Sequence, residues 1–277
     1  MSSPTAHDGD RLVAEQKFHD EWAKSTDSAD IDPLTANEAC TAPEMRWIVK
    51  QIGDLHGQTV LDVGCGLGEA SVYFAMKGAQ VTATDLSQGM LDVTAALAKQ
   101  NGVSVTTHQA NAESVGLAGD VKFDVIYVGN LFHHVEIDAT LRDLVQHLKP
   151  EGVLVSWDPI AYNPLINVYR RMATQVRTVD EHPLTEADLK LFERYFGKVE
   201  TRFYWLTTLS IFMIMAGILW RNPNKIRYWK QVVKEADMWR PLYLPLEALD
   251  AKLLKWIPPL RYLCWNVCIA ARAPRAS

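Results

Sequence analysis

Apolar positions along this chain switch repeatedly between short continuous runs and a helical period, and each switch marks an element. Val60, Leu61 and Val63 make a run of the length a buried strand needs, and residues 69–76 follow with a helical pattern. Residues 80–84 read as a second strand, and 87–99 as a helix that the Ser87 side chain can cap. Asn101-Gly102 turns the chain into an alternating strand at 103–108. The apolar run at 121–128 suits a central parallel strand covered on both faces. A helix over 137–148, a turn at Lys149-Pro150-Glu151-Gly152 and a fifth strand at 153–157 continue the alternation. Strands and helices alternating in this way predict a parallel α/β sheet.

The flanks follow other patterns. Residues 11–24 are helical, with Phe18 and Trp22 one turn apart, and Pro43 opens a helix to about residue 52, at a position where its missing N–H costs nothing. After the fifth strand comes a polar insertion over 158–182, carrying Tyr162, Asn163, Asn167, Tyr169, Arg170, Arg171, Arg177, Glu181 and His182. It reads as a cap over an acceptor site or as a solvated helical surface. No residue from Phe203 to Trp220 is charged, but with 203–206 assigned to a strand about 14 residues remain, too few to span a bilayer. That segment is expected to be an interfacial or buried helix. Trp220, Tyr228, Trp229 and Trp239 alternate with Arg221, Lys225, Arg227, Lys230 and Lys234, a pattern resembling a membrane-interface belt. Three roles stand open for this region: peripheral membrane contact or a tunnel for a lipid-like acceptor, a dimer interface, or an additional core.

Composition narrows the classes. The 277 residues, 48% of them apolar, suit one domain with an elaboration. A net charge of −5 gives no basic footprint, so no nucleic-acid partner is expected. The polar N-terminus lacks an apolar signal region, and the four cysteines are irregularly placed, which predicts free thiols in a cytoplasmic setting. Cys264 and Cys268 have no second ligand pair, so they read as small buried apolar residues and no metal site is expected.

The candidate chemistry centres on residues 59–71, T-V-L-D-V-G-C-G-L-G-E-A-S. Gly64, Gly66 and Gly68 between strand and helix let backbone N–H groups approach a ligand. Asp85 follows nearly 20 residues later, where a βαβ unit places a ribose-binding acid. The turn lacks the Lys-Ser/Thr pair of a phosphate loop, so an adenosine ligand with little or no phosphate fits better. His133 and His134 follow the fourth strand, at the end where open α/β sheets bind ligands.

V-L-D-V-G-C-G-L-G-E, V-T-A-T-D-L-S-Q-G-M-L, F-D-V-I-Y-V-G-N-L-F-H-H-V and L-K-P-E-G-V-L-V-S-W-D-P resemble, in order and spacing, the motifs of class I S-adenosylmethionine (SAM) methyltransferases, over roughly residues 45–160. The resemblance implies a Rossmann-like, doubly wound α/β sheet of seven strands with an N-terminal helical lid and a C-terminal apolar helical insertion. Its two last strands, antiparallel and at the edge, would lie at 198–206 and 262–271. The implied organisation is a lid segment at 1–42, a SAM-binding core at 43–206, the apolar insertion at 207–260, and a final strand and tail at 261–277. By the same resemblance, Asp62 orders the glycine turn and the methionine end, and Gly64, Cys65, Gly66 and Gly68 form the cradle. Asp85 binds the ribose, Leu86 and Met90 flank the adenine, Asn111 and Ala112 meet its edge, and Asn130 and Leu131 line the methyl end.

A base is needed only for an O- or C-acceptor; His133, His134 and Tyr162 are the candidates, ahead of Tyr169, His182 and His19. The expected activity is SAM-dependent methyl transfer, releasing S-adenosylhomocysteine, to a hydrophobic quinone-, isoprenoid- or lipid-like molecule. Residues 209–220 and 253–260 are the expected contacts with a membrane. The rival readings are a soluble natural-product O- or N-methyltransferase that dimerises through the insertion, and a non-catalytic SAM-binding scaffold.

Overall fold

The computed structural model describes residues 6–172 and 182–275. In chain order the elements are α1 (Ala6–Lys24), α2 (Pro33–Glu38), α3 (Pro43–Ile52), β1 (Thr59–Val63), α4 (Glu69–Met76), β2 (Gln80–Asp85), α5 (Gln88–Gln100), β3 (Val105–Gln109), β4 (Phe123–Gly129), α6 (Ile137–Leu144) and β5 (Leu148–Pro159). They continue as α7 (Pro164–Met172), α8 (Glu186–Tyr195), β6 (Phe196–Tyr204), α9 (Ser210–Gly217), α10 (Tyr228–Lys234), α11 (Ala236–Trp256) and β7 (Asn266–Pro274). Of the polar residues in the 158–182 insertion, Arg177 and Glu181 lie outside the described residues.

The sheet runs β3-β2-β1-β4-β5-β7-β6. The strands β1 to β5 are parallel, as the alternating pattern predicts. Strand order reverses between β1 and β4, and the crevice at that switch is where this architecture places a ligand. The antiparallel pair differs from expectation. β7 is not an edge strand: it lies between β5 and β6 and pairs antiparallel with both, so β6 runs with the rest of the sheet. Residues Asn266 to Ala271 are accordingly all buried, as a strand flanked on both sides requires. The expected turn at 149–152 is a bulge inside a longer β5, because Phe123 pairs with Leu148 while Val125 pairs with Val153.

Aliphatic side chains of the sheet feed one core on each face. Leu61, Ile126, Leu154 and Ile269 pack with α6 and α8, while Val60, Val125, Val155 and Ala270 pack with α3 and α4. A third core belongs to the elaboration, where Ile211, Phe212 and Met215 of α9 meet Tyr228, Val232, Trp239, Tyr243, Trp205 and Ile166. The apolar stretch after β6 is therefore largely a packing helix, with Met213, Ile218, Leu219 and Trp220 left exposed. No helix among the described residues is long and apolar enough to cross a membrane.

Two of the five interleaved cations turn inward to carboxylates, while Lys225 and Lys234 are exposed. Arg221 pairs with Glu235 at 2.6 Å, Lys230 pairs with Glu69 at 2.9 Å, and Tyr228 and Trp239 are buried. Of the pattern that resembled an interface belt, Trp220 alone among its four aromatics stands fully exposed, at 84%. Cations that find carboxylates inside the fold are already neutralised and gain little from a membrane surface.

Candidate active site

A cavity of about 770 Å³ opens at the C-terminal ends of β1, β2, β4 and β5. That volume lies in the upper part of the range of ligand pockets, roughly 300–1,000 Å³. Its first wall is the glycine turn. Gly64 has φ +68°, and a Cβ there would sit 2.8 Å from Leu131, so only glycine lets β1 pass this close to the loop after β4. Gly66 has φ +54° with open space where a Cβ would project, so its backbone faces the cavity bare. Gly68 plays a different part: it caps α4 against Thr94 and does not line the cavity.

Asp85 braces this turn. One carboxylate oxygen accepts from the Gly66 N–H at 2.9 Å and the other from the Ser87 N–H at 2.9 Å, which orients both toward the cavity. Burial pushes the Asp85 carboxyl up, against those backbone donors. A carboxylate accepts about four hydrogen bonds, so capacity remains for ligand hydroxyls. Asp62 lies deeper. Its Oδ2 accepts from Ser71 at 2.5 Å, while Oδ1 is buried with no partner. Burial, with the Asp85 charge nearby, pushes the Asp62 carboxyl up to about 7.

Cys65, Leu86, Asn111 and Ala112 also line the cavity. The Asn111 side-chain oxygen already accepts from Glu113 N at 3.1 Å, so the residue does form a turn, and one lone pair is left for a ligand. Met90 does not reach the cavity: it is fully buried beneath it with Ala23 and Leu67. Capping by Ser87 points the first turn of α5 into the domain, so Leu86 alone of that pair faces the cavity.

At the end of β4, Asn130 adopts φ +56° and its N–H donates to Trp157 O at 2.7 Å, which holds the strand ends together beside Leu131. His133 is buried; its Nδ1 meets Asp158 Oδ1 at 2.8 Å, and its N–H donates to the same oxygen at 3.2 Å. Burial pushes the Asp158 carboxyl well above the usual range, opposed by backbone N–H groups of His133, Phe132 and Leu131. His134 instead faces Glu15 of α1, 3.3 Å from Nδ1. Tyr162 is not brought to the cavity. Half-exposed, it packs edge-on against Tyr262, and its hydroxyl accepts from Glu186 N at 2.9 Å. His182 is exposed and also outside the cavity lining, whereas His19 and Tyr169 line it.

Residues 60–152 match a family model described as a methyltransferase domain. The ubiquinone biosynthesis O-methyltransferase of Rickettsia canadensis (strain McKiel) is 31% identical over 147 residues, covering 51% of this chain and 58% of that protein. Its namesake from Pseudomonas syringae pv. syringae (strain B728a) is 34% identical over 136 residues, covering 49% of this chain and 54% of that one. Over residues 60–152 this chain is thus similar to methyltransferase domains. It spans about half the length of the curated relatives it matches. Among solved structures, phosphoethanolamine N-methyltransferase 2 of Haemonchus contortus superposes with a TM-score of 0.56 at 18% identity, over 84% of this chain and 52% of that one. The cyclase SpnF gives 0.52 at 19% identity, over 89% and 86%. Two proteins of such different reactions establish the fold and leave the reaction to the site.

The matched part of the methyltransferase domain holds the cradle but not the whole cavity. The far wall comes from elsewhere: Glu44 and Met45 of α3, Trp157 of β5, and Trp205, Trp265 and Asn266 around β6 and β7. Tyr127 of β4 joins them, taking a bond from Trp157 Nε1 at 3.0 Å. Sequence reading missed this wall. One signal was present: Tyr127 and Trp157 are aromatic positions on the same face of neighbouring aliphatic strands, near their C-terminal ends.

The roof of the domain is α1. Arg11 donates to Glu113 at 2.6 Å and to the carbonyl of His134, and Ser87 donates to Asp20 at 2.5 Å. The helix is thus tied to the loops after β2, β3 and β4. Arg227 stacks 3.9 Å from the Trp22 ring centre, linking α1 to the elaboration across the cavity.

Proposed function

We propose that this chain moves a methyl group from SAM to a hydroxyl oxygen of an apolar, quinone-like small molecule. One observation carries the reading: a single cavity runs from the Gly64–Asp85 cradle to a tryptophan-lined wall, lined by His133, which Asp158 holds from behind. The cradle fits the cofactor. Asp85 has spare acceptor capacity for a ribose diol, Gly66 offers bare backbone, and the orphaned Asp62 oxygen suits the ammonium of an amino-acid tail. SAM, when bound, supplies an electrophilic sulfonium methyl that needs no further activation. The chain's own task is positioning and deprotonation. Asp158 orients the His133 ring through Nδ1, and the imidazole is the group we assign to take the hydroxyl proton. Roof helix α1 excludes water, and the aromatic wall receives a flat ring.

Asp62 makes cofactor affinity depend on pH. A cation binds the ionised carboxylate and lowers its pKa, so binding releases a proton wherever Asp62 is protonated beforehand. Affinity therefore rises with pH and levels off above about 7, the value of the unliganded group. Below it, S-adenosylhomocysteine affinity is expected to fall by up to about tenfold per pH unit in calorimetry, and Asp62→Asn to flatten that slope. A slope of the opposite sign would remove Asp62 from this role.

We extend the reading to peripheral membrane contact. Leu165, Val168 and Met172 form an exposed stripe on α7, whose other side lines the cavity. The Asn224 side chain donates to Met172 O at 2.9 Å and so ties the exposed Ile218-Leu219-Trp220 segment to it. Trp256 and Ile257 are exposed at the end of α11.

The test incubates the purified protein with methyl-labelled SAM and a quinol-containing lipid extract, with and without vesicles. Label in a lipid product with equimolar S-adenosylhomocysteine, and flotation with vesicles lost on Trp220→Ala with Met172→Ala, is the expected outcome. No S-adenosylhomocysteine would sink the enzyme reading. Turnover without flotation, with a dimer in solution, would assign the apolar stripe to a second copy.

A further inference from the structure

The end of the cavity farthest from the glycine turn holds a polar group that the proposed reaction does not use. Glu44 is buried in α3, and its Oε1 accepts two bonds, from Trp205 Nε1 at 2.7 Å and from Asn266 Nδ2 at 2.7 Å. Both donors serve one oxygen, so Oε2 is left without either. The other end of the amide is unserved: Asn266 Oδ1 is buried without a partner. Asn266 Oδ1 is thus a buried acceptor without a partner, beside a Glu44 carboxylate that takes a further bond only from its own backbone N–H, within an apolar, aromatic wall. An unmet acceptor at such a depth costs about 1–3 kcal/mol, so this arrangement calls for a ligand that donates.

The surroundings hold this pair rigidly. Trp205 adopts φ +66°, a left-handed conformation rare for a bulky residue. Asp250 of α11 enforces it: its carboxylate accepts from the N–H groups of Leu206 at 3.2 Å, Thr207 at 2.7 Å and Thr208 at 3.3 Å, and from the hydroxyl of Thr208 at 2.8 Å. The turn that aims the Trp205 indole at Glu44 is therefore fixed by the elaboration. Asn266 pairs with Pro159 of β5 and Tyr204 of β6 in the sheet, three strands from β1. At about 4.8 Å per strand that is about 14 Å from the cradle, on the side away from the adenosine end.

We infer that Glu44 and Asn266 form the hydroxyl-reading end of the acceptor pocket, selecting flat aromatic molecules that carry a hydrogen-bond donor at that edge. The inference rests on the methyl-transfer reading for its name "acceptor", but not for its chemistry. A ring hydroxyl donates to Glu44 Oε2 or Asn266 Oδ1 while its ring lies among Trp157, Trp205 and Trp265. An O-methylated analogue brings no donor and leaves Asn266 Oδ1 unmet. The pocket therefore distinguishes a free phenol from its ether, a discrimination that buried hydrogen-bonding sites make strongly.

The experiment titrates 4-hexylresorcinol and its dimethyl ether into the full chain by tryptophan fluorescence, alongside calorimetry with S-adenosylhomocysteine. Wild type should bind the diol at least tenfold more tightly than the ether. Glu44→Gln keeps an oxygen for Trp205 and Asn266 but presents an NH₂ to the cavity, so it should erase or reverse that preference. Asn266→Ala, which removes the Oδ1 acceptor, should weaken that preference. S-adenosylhomocysteine affinity within about twofold of wild type certifies that the fold of each variant is intact. Equal affinities for diol and ether in wild type, no detectable binding of the diol, or an unchanged preference in Glu44→Gln would each overturn the inference. Absence of S-adenosylhomocysteine binding in wild type strikes the methyltransferase reading instead and leaves the probe comparison valid.

Discussion

Asp85→Ala should lower the affinity for S-adenosylhomocysteine by about a hundredfold. Two losses combine. Truncation removes the acceptor for a ribose diol, and hydrogen bonds to a charged group contribute about 1.5–3 kcal/mol. It also strips the Gly66 and Ser87 N–H groups of their partner, so the glycine turn loses the brace that aims it at the cavity. A hundredfold corresponds to about 2.7 kcal/mol, within reach of the first effect alone. Asp85→Asn keeps an acceptor oxygen and should lose less. Calorimetry on both variants, with melting curves as a check on folding, makes the test. Affinity unchanged in a folded Asp85→Ala protein would remove the ribose assignment.

The second large effect concerns His133. His133→Asn should reduce kcat by about 10²–10⁴, the range of a positioned general base, while leaving S-adenosylhomocysteine affinity near wild type. The variant needs care, because Asp158 lies fully buried against the imidazole. Removing one member of a buried pair strands the other and can cost about 3–5 kcal/mol. The double variant His133→Asn with Asp158→Asn avoids a lone buried carboxyl and should show the same loss of kcat with a smaller loss of stability. A folded variant with undiminished kcat would reduce His133 to a packing role and turn attention to His134, which is held to the roof helix by Glu15.

Asp85 and His133 are both legible in the amino-acid sequence, and so is most of the cradle. Asp62, Gly64, Gly66 and Asp85 belong to one βαβ unit, in which local sterics and short connections leave little freedom. The errors in the same region are instructive. Gly68 and Met90 occupy motif positions but face the domain interior, since a motif specifies spacing and not which way a side chain turns. Tyr162 has suitable chemistry two residues beyond the bridge that follows β5, yet a bond from Glu186 holds it outside the cavity. Apolar residues 209–220 were legible as a segment that leaves water, although 218–220 stay exposed. Composition does not distinguish lipid, partner and core, and here most of the segment meets Tyr228, Trp239 and Tyr243.

The sequence by itself determined the parallel sheet, the cofactor-type cradle and the acid that braces it, because those depend on neighbours within a few tens of residues. Tertiary structure alone decided that β7 slots between β5 and β6, that Arg221 and Lys230 pair inward, and that Glu44 meets Asn266, 222 positions away. No period or spacing along the chain encodes such a meeting. It arises when separate elements bury their apolar faces together and the few polar groups carried inside must find one another.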